Sequence, residues 1–318
     1  MRYDAAAEPF ARAALDVVPR VLGLCDRDPA SSSVGCCDRY HWHYKFLDFP
    51  NARFQEAGLL FALAFADATP SNPFAGRQSL AQWARDAWSF WLGARNSDGS
   101  VAEAYPHERS FCATAFCAAA FVETAGMLGV GDESWRPALK QARNTFVWLG
   151  EHENAEVANQ MAASYQALVG YQKLVDDPAI ARLRVQRRER LLALAGTNGD
   201  FPEYGGWDAG YQSITLSSIA RSLDVGGPDD DLRDVLRKGV ELLEQRIDAE
   251  GGVDPRSNSR STQYVYPHAL AWVGSKAIDR LVAGLRSQRL LQPSWLDDRY
   301  CIAMAIDYFF AAKRLAAP

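Results

Sequence analysis

The run Phe111-Cys112-Ala113-Thr114-Ala115-Phe116-Cys117-Ala118-Ala119-Ala120-Phe121 carries hardly a polar side chain. A helix that is apolar on every side belongs inside a core. Upstream of it, Leu80, Trp83, Trp88 and Trp91 recur at helical spacing among charged and polar positions. That pattern predicts an amphipathic helix lying on the surface. Between the two sits a turn mark, Asp98-Gly99. One exposed helix, one marked loop and one buried helix make a unit.

The unit recurs. Turn marks stand at Asp48-Phe49-Pro50-Asn51, Asp98-Gly99, Gly150-Glu151, Asn198-Gly199-Asp200, Gly251-Gly252 and Pro293-Ser294, most of them about fifty residues apart. Exposed helices are expected over residues 5–24, 78–95, 134–149, 178–195, 229–248 and 277–291. Apolar stretches such as Leu59 to Ala66 and Ile302 to Ala312 follow the marks. Pro267 should kink or delay the fifth buried helix, because its ring cannot continue a preceding turn. Six alternations predict an all-α chain, a single (α/α)6 toroid over residues 1–318 with an inner and an outer ring of helices. An irregular bundle or an open solenoid is the plainer alternative.

Composition narrows the function. The chain has 318 residues, 48% of them hydrophobic, and a net charge of −5. A net acidic chain is not expected to take a nucleic-acid partner, and Arg182 to Arg190 reads as a solvated helix face. No stretch of about 18 uninterrupted apolar residues predicts membrane insertion. The start, Met1-Arg2-Tyr3-Asp4, lacks the apolar segment of a secretory leader. With six cysteines in no disulfide-like spacing, this makes a cytoplasmic location the expectation if Met1 is the native start.

In a toroid the loops 25–52, 96–109, 150–156, 197–210, 249–263 and 292–299 would meet at one end. Four of the five histidines, His41, His43, His107 and His152, fall in them, and His268 follows closely. Arg53, Arg109, Arg260 and Arg299 stand near starts of buried helices, where the helix dipole does not favour a cation. The expected catalytic set is His41, His43, Tyr105, His107, Arg109, Tyr211 and His268. The expected substrate contacts are Arg39, Trp42, Tyr44, Arg53, Glu103, Glu203, Trp207, Asp208, Gln212, Tyr266, Arg299 and Tyr300. Residues 38–45, if extended, would turn His41 and His43 to one face and Tyr40, Trp42 and Tyr44 to the other.

Stacked aromatics, cations and proton-transfer groups suit an acidic poly- or oligosaccharide. β-Elimination beside a uronate carboxylate needs a base, an acid and a cation for the enolate, which His, Tyr and Arg supply. Hydrolysis would instead need paired carboxylates, drawn from Asp48, Glu103, Glu203 and Asp208. No cofactor or metal is expected. A zinc site of His41, His43 and Cys36 or Cys37 is a further reading, although adjacent cysteines lack the spacing of known zinc motifs.

The sixfold pattern, with Tyr105-Pro106-His107-Glu108-Arg109 before an apolar helix, resembles the (α/α)6 carbohydrate-active enzymes. These include heparinase II/III-like and alginate-lyase-like polysaccharide lyases, unsaturated uronyl hydrolases and sugar epimerases. The resemblance implies a lyase first and a glycoside hydrolase second. Exported lyases usually carry a leader and often a β-domain. Their absence from the reading favours an intracellular enzyme of oligosaccharide breakdown or polysaccharide assembly. Zinc-dependent or isoprenoid-type cyclases and transferases use related toroids, but Asp229-Asp230-Asp231 falls at an outer-helix start. A non-catalytic glycan-binding protein is the remaining alternative.

Overall fold

A computed structural model describes residues 6–129 and 133–317. Residues 1–4, on which the leader reading rests, lie outside them. The regular secondary structure of the described residues is helical apart from three isolated bridges. In chain order the helices are α1 (Ala7–Leu15), α2 (Val18–Leu24), α3 (Arg39–Trp42), α4 (Ala57–Ala66), α5 (Gln78–Ala94), α6 (Phe111–Leu128) and α7 (Trp135–Glu151). There follow α8 (Ala158–Leu174), α9 (Pro178–Leu194), α10 (Ala209–Gly226), α11 (Asp230–Glu244), α12 (His268–Val273), α13 (Ala277–Arg286) and α14 (Tyr300–Ala316). Five of the six expected surface helices correspond to single helices, with α11 and α13 ending short of their expected limits. The first differs: it breaks at Asp16-Val17, and α2 restarts with Pro19 in its first turn. Pro267 delays the fifth buried helix, which begins at His268 and lasts six residues.

The chain falls into two compact units. One comprises the described residues of Met1–Asp16, Asn154–Gln166 and Arg187–Pro318. The other comprises Val17–Glu153 and Ala167–Gln186. In the second unit α4 lies hard against α5. A Cβ at Gly58 would meet the Trp88 indole, so only glycine permits that approach. Trp88, Trp91 and Phe121 pack with ring centroids 5.4–5.7 Å apart, and each such pair adds about 1 kcal/mol to what area burial supplies. Helix α6 has the length and mean hydropathy, 1.6, of a membrane-crossing helix. Most of its residues are nonetheless buried in the protein, as expected of an inner helix. In the first unit α1 packs on α14, with Phe10 edge-on to Tyr308 at 5.4 Å. Helix α10 buries both its apolar residues and most of its Ser and Thr hydroxyls. The basic run on α9 is not wholly solvated as expected: Arg187 is buried and donates to Met161 Sδ.

Three of the six turn marks, at Gly99, Gly199 and Gly251, share a cause, and the unmarked turn at Gly35 shares it too. Gly35, Gly99, Gly199 and Gly251 all adopt positive φ. A Cβ on any of them would lie no more than 3.0 Å from the backbone of α5, α7, α11 or α13 respectively. Each of these four turns is thus docked on a helix, and glycine is required both for its dihedral and for the approach. Residues 96–100, 196–200 and 248–252 close the same turn. Their first amide donates to the fifth carbonyl, and the fourth amide donates back to the first.

A second regularity is invisible in the sequence. Asn51, Ser110 and Asp208 cap helical starts through their side chains. Four residues later stand Gln55, Thr114 and Gln212. Each accepts from the amide two residues past one of these glycines: Cys37, Val101 and Phe201. The glutamines also donate to the glycine carbonyls, Gly35 and Gly199. A buried backbone amide needs a partner, and this staple supplies one.

Candidate functional site

In the second unit, residues 38–45 are not extended. Asp38 accepts from the Tyr40 amide at 3.0 Å and from the Asn51 amide at 2.8 Å, which winds Arg39–Trp42 into a helical turn. The helical turn therefore groups Tyr40 with Tyr44, four residues on, and Phe46 joins them. Tyr44 and Phe46 stack at 5.5 Å and 16°, and all three rings are exposed. Arg39 lies over Tyr44, and His43 meets Tyr44 edge-on. Trp42 does not join this platform. Its indole donates to the Leu24 carbonyl at 2.7 Å and anchors the turn. His41 Nδ1 lies 3.0 Å from the Leu47 carbonyl.

Beside the start of α6, Glu108 gathers the loop. Its Oε2 accepts from the amides of Glu103, Ala104 and Tyr105. Glu103 accepts from the Ser110 hydroxyl. Tyr105 and His107 are exposed, and His107 sits at φ +60°. Arg109 pairs with Asp98 at 2.5 Å and lines a cavity of about 410 Å³ with Arg143, Trp148 and His152. His152 stacks on Trp148 at 4.3 Å.

Arg53 is a correction. It is buried, pairs with Glu56 and lies over the Phe116 ring at 4.2 Å. Burial works against its charge, but Glu56 more than offsets that and holds it protonated. Its guanidinium serves the fold, so it is not a substrate contact. The zinc reading also lacks its donors. Burial pushes the Cys36 thiol up to about 12 and the Cys37 thiol well above its usual value, which disfavours the thiolate a metal requires. Among the described residues no three His, Cys, Asp or Glu side chains gather as a metal site.

The first unit holds a denser constellation. Glu203 is anchored by bridges to Val157 and Gly206. Its Oε2 accepts from Asn159 Nδ2 at 2.8 Å. Burial pushes its carboxyl up to about 7; Arg260 and Asn159 act to lower it, and Asp208 adds to the rise. The Arg260 guanidinium lies over Tyr204 at 4.7 Å and Tyr211 at 5.9 Å. The Tyr211 and Tyr300 hydroxyls meet at 3.3 Å. Arg299 covers Tyr300 at 4.9 Å. Burial, with Tyr300 beside it, keeps the Tyr211 phenol protonated well above its usual range. One buried carboxyl near neutrality, two touching phenols and two guanidinia thus form a ladder. Trp207 lies under the Arg246 guanidinium, at 5.6 Å.

Four expected residues of this unit serve the fold instead. Asp208 caps α10 and accepts from Thr262 Oγ1 at 2.5 Å and the Arg260 amide at 3.0 Å, so both its oxygens are occupied. Gln212 is the staple described above. Tyr266 is buried edge-on to Tyr264. His268 is buried, with Nδ1 3.4 Å from the Ser217 hydroxyl. Burial lowers its pKa to about 3, and Arg221 and Arg314 add to the effect. It is a neutral core imidazole rather than a proton-transfer group. Asn159 was missed from the sequence. The available signal was an Asn-Gln pair opening a buried helix.

No protein-family model matches this chain, and no curated protein matches it in sequence. Among solved structures, a sugar epimerase from a ruminal bacterium matches with a TM-score of 0.59 and 14% identity. The match covers 87% of this chain and 85% of that one. The likeness is one of fold, and it places the chain among the all-α, α/α-toroid proteins that the sixfold pattern predicts.

Proposed function

We propose that the protein is a carbohydrate-active enzyme that removes the proton α to the carboxylate of a uronate-containing saccharide. The observation that carries the reading is the buried Glu203 carboxyl, near neutrality, beside Arg260 and the Tyr211–Tyr300 pair. Among the described residues only one oxygen of Glu203 accepts a hydrogen bond, from Asn159. A base with a pKa near the working pH transfers protons most effectively. Arg260, with Arg299, would pair with the substrate carboxylate and stabilise the enolate that forms on deprotonation. Tyr211, still protonated, would deliver a proton to the leaving glycosidic oxygen. In that step the C5–H and C4–O bonds break, and a C4–C5 double bond forms. Hydrolysis by the pair Glu203 and Asp208 is disfavoured, because both Asp208 oxygens are held by the fold. The likeness to a sugar epimerase favours one second reading: the same proton is abstracted and returned on the opposite face without cleavage.

Incubation with alginate, polygalacturonate and glucuronan tests the proposal. Elimination gives near-ultraviolet absorbance from the new double bond. Epimerisation in deuterium oxide gives deuterium at C5 without absorbance. Glu203→Gln should lower either rate about 10²–10⁴-fold. New reducing ends with neither signal would overturn proton abstraction.

A further inference from the structure

We propose that a groove of the first unit, separate from the Glu203 ladder, binds an anionic saccharide through Arg233, Arg237 and Arg314, with the sugar ring against Trp272. The groove lies between the end of α10, the start of α11 and the last turns of α12 and α14. Its volume is about 590 Å³, within the range of small-molecule sites.

The charge there is unbalanced. Arg237 makes no hydrogen bond or ion pair among the described residues. Arg233 reaches only Asp230, at 3.7 Å, and the Asp230 side chain is 98% exposed. The neighbouring acids that could have neutralised Arg233, Asp229 and Asp231, are both held by Arg188. Arg314 lies over the Trp272 ring at 5.4 Å and donates to the Trp272 carbonyl. The acid lining the groove, Asp224, accepts from the Trp272 indole at 2.8 Å and so orients the ring. Helix stability accounts for Arg314, in the last turn of α14, where a cation complements the dipole. It does not account for Arg233 and Arg237, which occupy the first half of α11. The positive field is also felt next door, where Arg221, Arg314 and Lys313 add to the burial that keeps His268 neutral.

Guanidinium forks bind phosphate and carboxylate oxygens in bidentate fashion, and an indole offers the apolar face of a sugar a surface. A sugar phosphate and a uronate present the same chemistry. The inference does not depend on the reaction proposed for Glu203.

Calorimetric titration at physiological salt tests it, using the Arg260→Ala/Arg299→Ala protein so that the Glu203 ladder has lost both its cations. Glucose 6-phosphate, glucuronate, glucose and inorganic phosphate are the probes. Saturable binding of either anionic sugar, at least tenfold tighter than glucose or inorganic phosphate, is expected. Binding of glucose 6-phosphate alone identifies a phosphosugar ligand, and binding of glucuronate alone a uronate ligand. Adding Arg233→Ala and Arg237→Ala should weaken binding at least tenfold, and so should adding Trp272→Ala. Arg233 and Arg237 are exposed and Trp272 is half-buried, and an unchanged circular dichroism spectrum checks folding. No saturable binding, binding unaffected by these substitutions, or equal affinity for inorganic phosphate would each overturn the inference.

Discussion

Glu203 and Asn159 show how one contact tunes a carboxyl. Burial raises the acid towards neutrality, while the Asn159 amide and the Arg260 charge stabilise its ionised form. Asn159→Ala removes one bond that favours the charge. The acidic limb of the rate profile should therefore move to higher pH by roughly one unit, about the worth of one charge-assisted bond. The maximal rate on the alkaline side should change little. A purely structural Asn159 would lower the rate at every pH and leave the limb where it was. Tyr211→Phe separates acid from base in the same assay, since it leaves Glu203 and Arg260 in place. It should cut elimination about 10²-fold and leave deuterium exchange at C5 intact. Equal loss of both would assign Tyr211 to binding.

Helices were legible because their signal is local. Apolar residues at helical spacing predicted α5, α7 and α9 to within about two residues, and Pro267 marked the start of α12. The staples were not legible, because Gln55, Thr114 and Gln212 answer amides far from them in sequence. A buried glutamine and a substrate-binding glutamine look alike until their partners are known. For the same reason Arg53 and Asp208 could be identified as important types but not assigned to the fold. The staple makes a ranked prediction. Gln212→Ala leaves the Phe201 amide and the Gly199 carbonyl without partners and should cost roughly 2–4 kcal/mol. Gln55→Ala, which frees three backbone groups, should cost at least as much. Thr114→Val frees the Val101 amide and should cost roughly 1–2 kcal/mol. Urea unfolding midpoints at constant slope would measure the order. If threonine proved the costliest, the staple would not be the stabilising element.

At the scale of the molecule, the sixfold pattern led to the fold class because the repeats agreed in order and most of them in spacing, which no single helix could have shown. Its electrostatics are less uniform, since two buried groups pull stability in opposite directions with pH. Glu203, raised from 4.5 to about 7, holds a proton in the folded chain that the unfolded chain has released. Its contribution is complete below pH 4.5 and lost as pH rises through 7, on the order of 3 kcal/mol. His268, lowered from 6.5 to about 3, is neutral in the fold and charged in the unfolded chain. Its contribution is complete above pH 6.5 and is lost as pH falls towards 3, on the order of 5 kcal/mol. The groups facing each are Arg260, Asp208 and Asn159 for Glu203, and Arg221, Arg314, Lys313, Asp224, Asp307 and Ser217 for His268. Between about pH 4.5 and 6.5 the two slopes oppose and nearly cancel. Glu203→Gln should uncover the histidine, so that its stability relative to wild type falls by about 3 kcal/mol on acidification across that window. His268→Gln should uncover the carboxyl and gain a similar amount over the same interval. Denaturant titrations at three pH values would show the curves diverging, whereas curves parallel to wild type would mean that neither group is held in the protonation state its burial dictates.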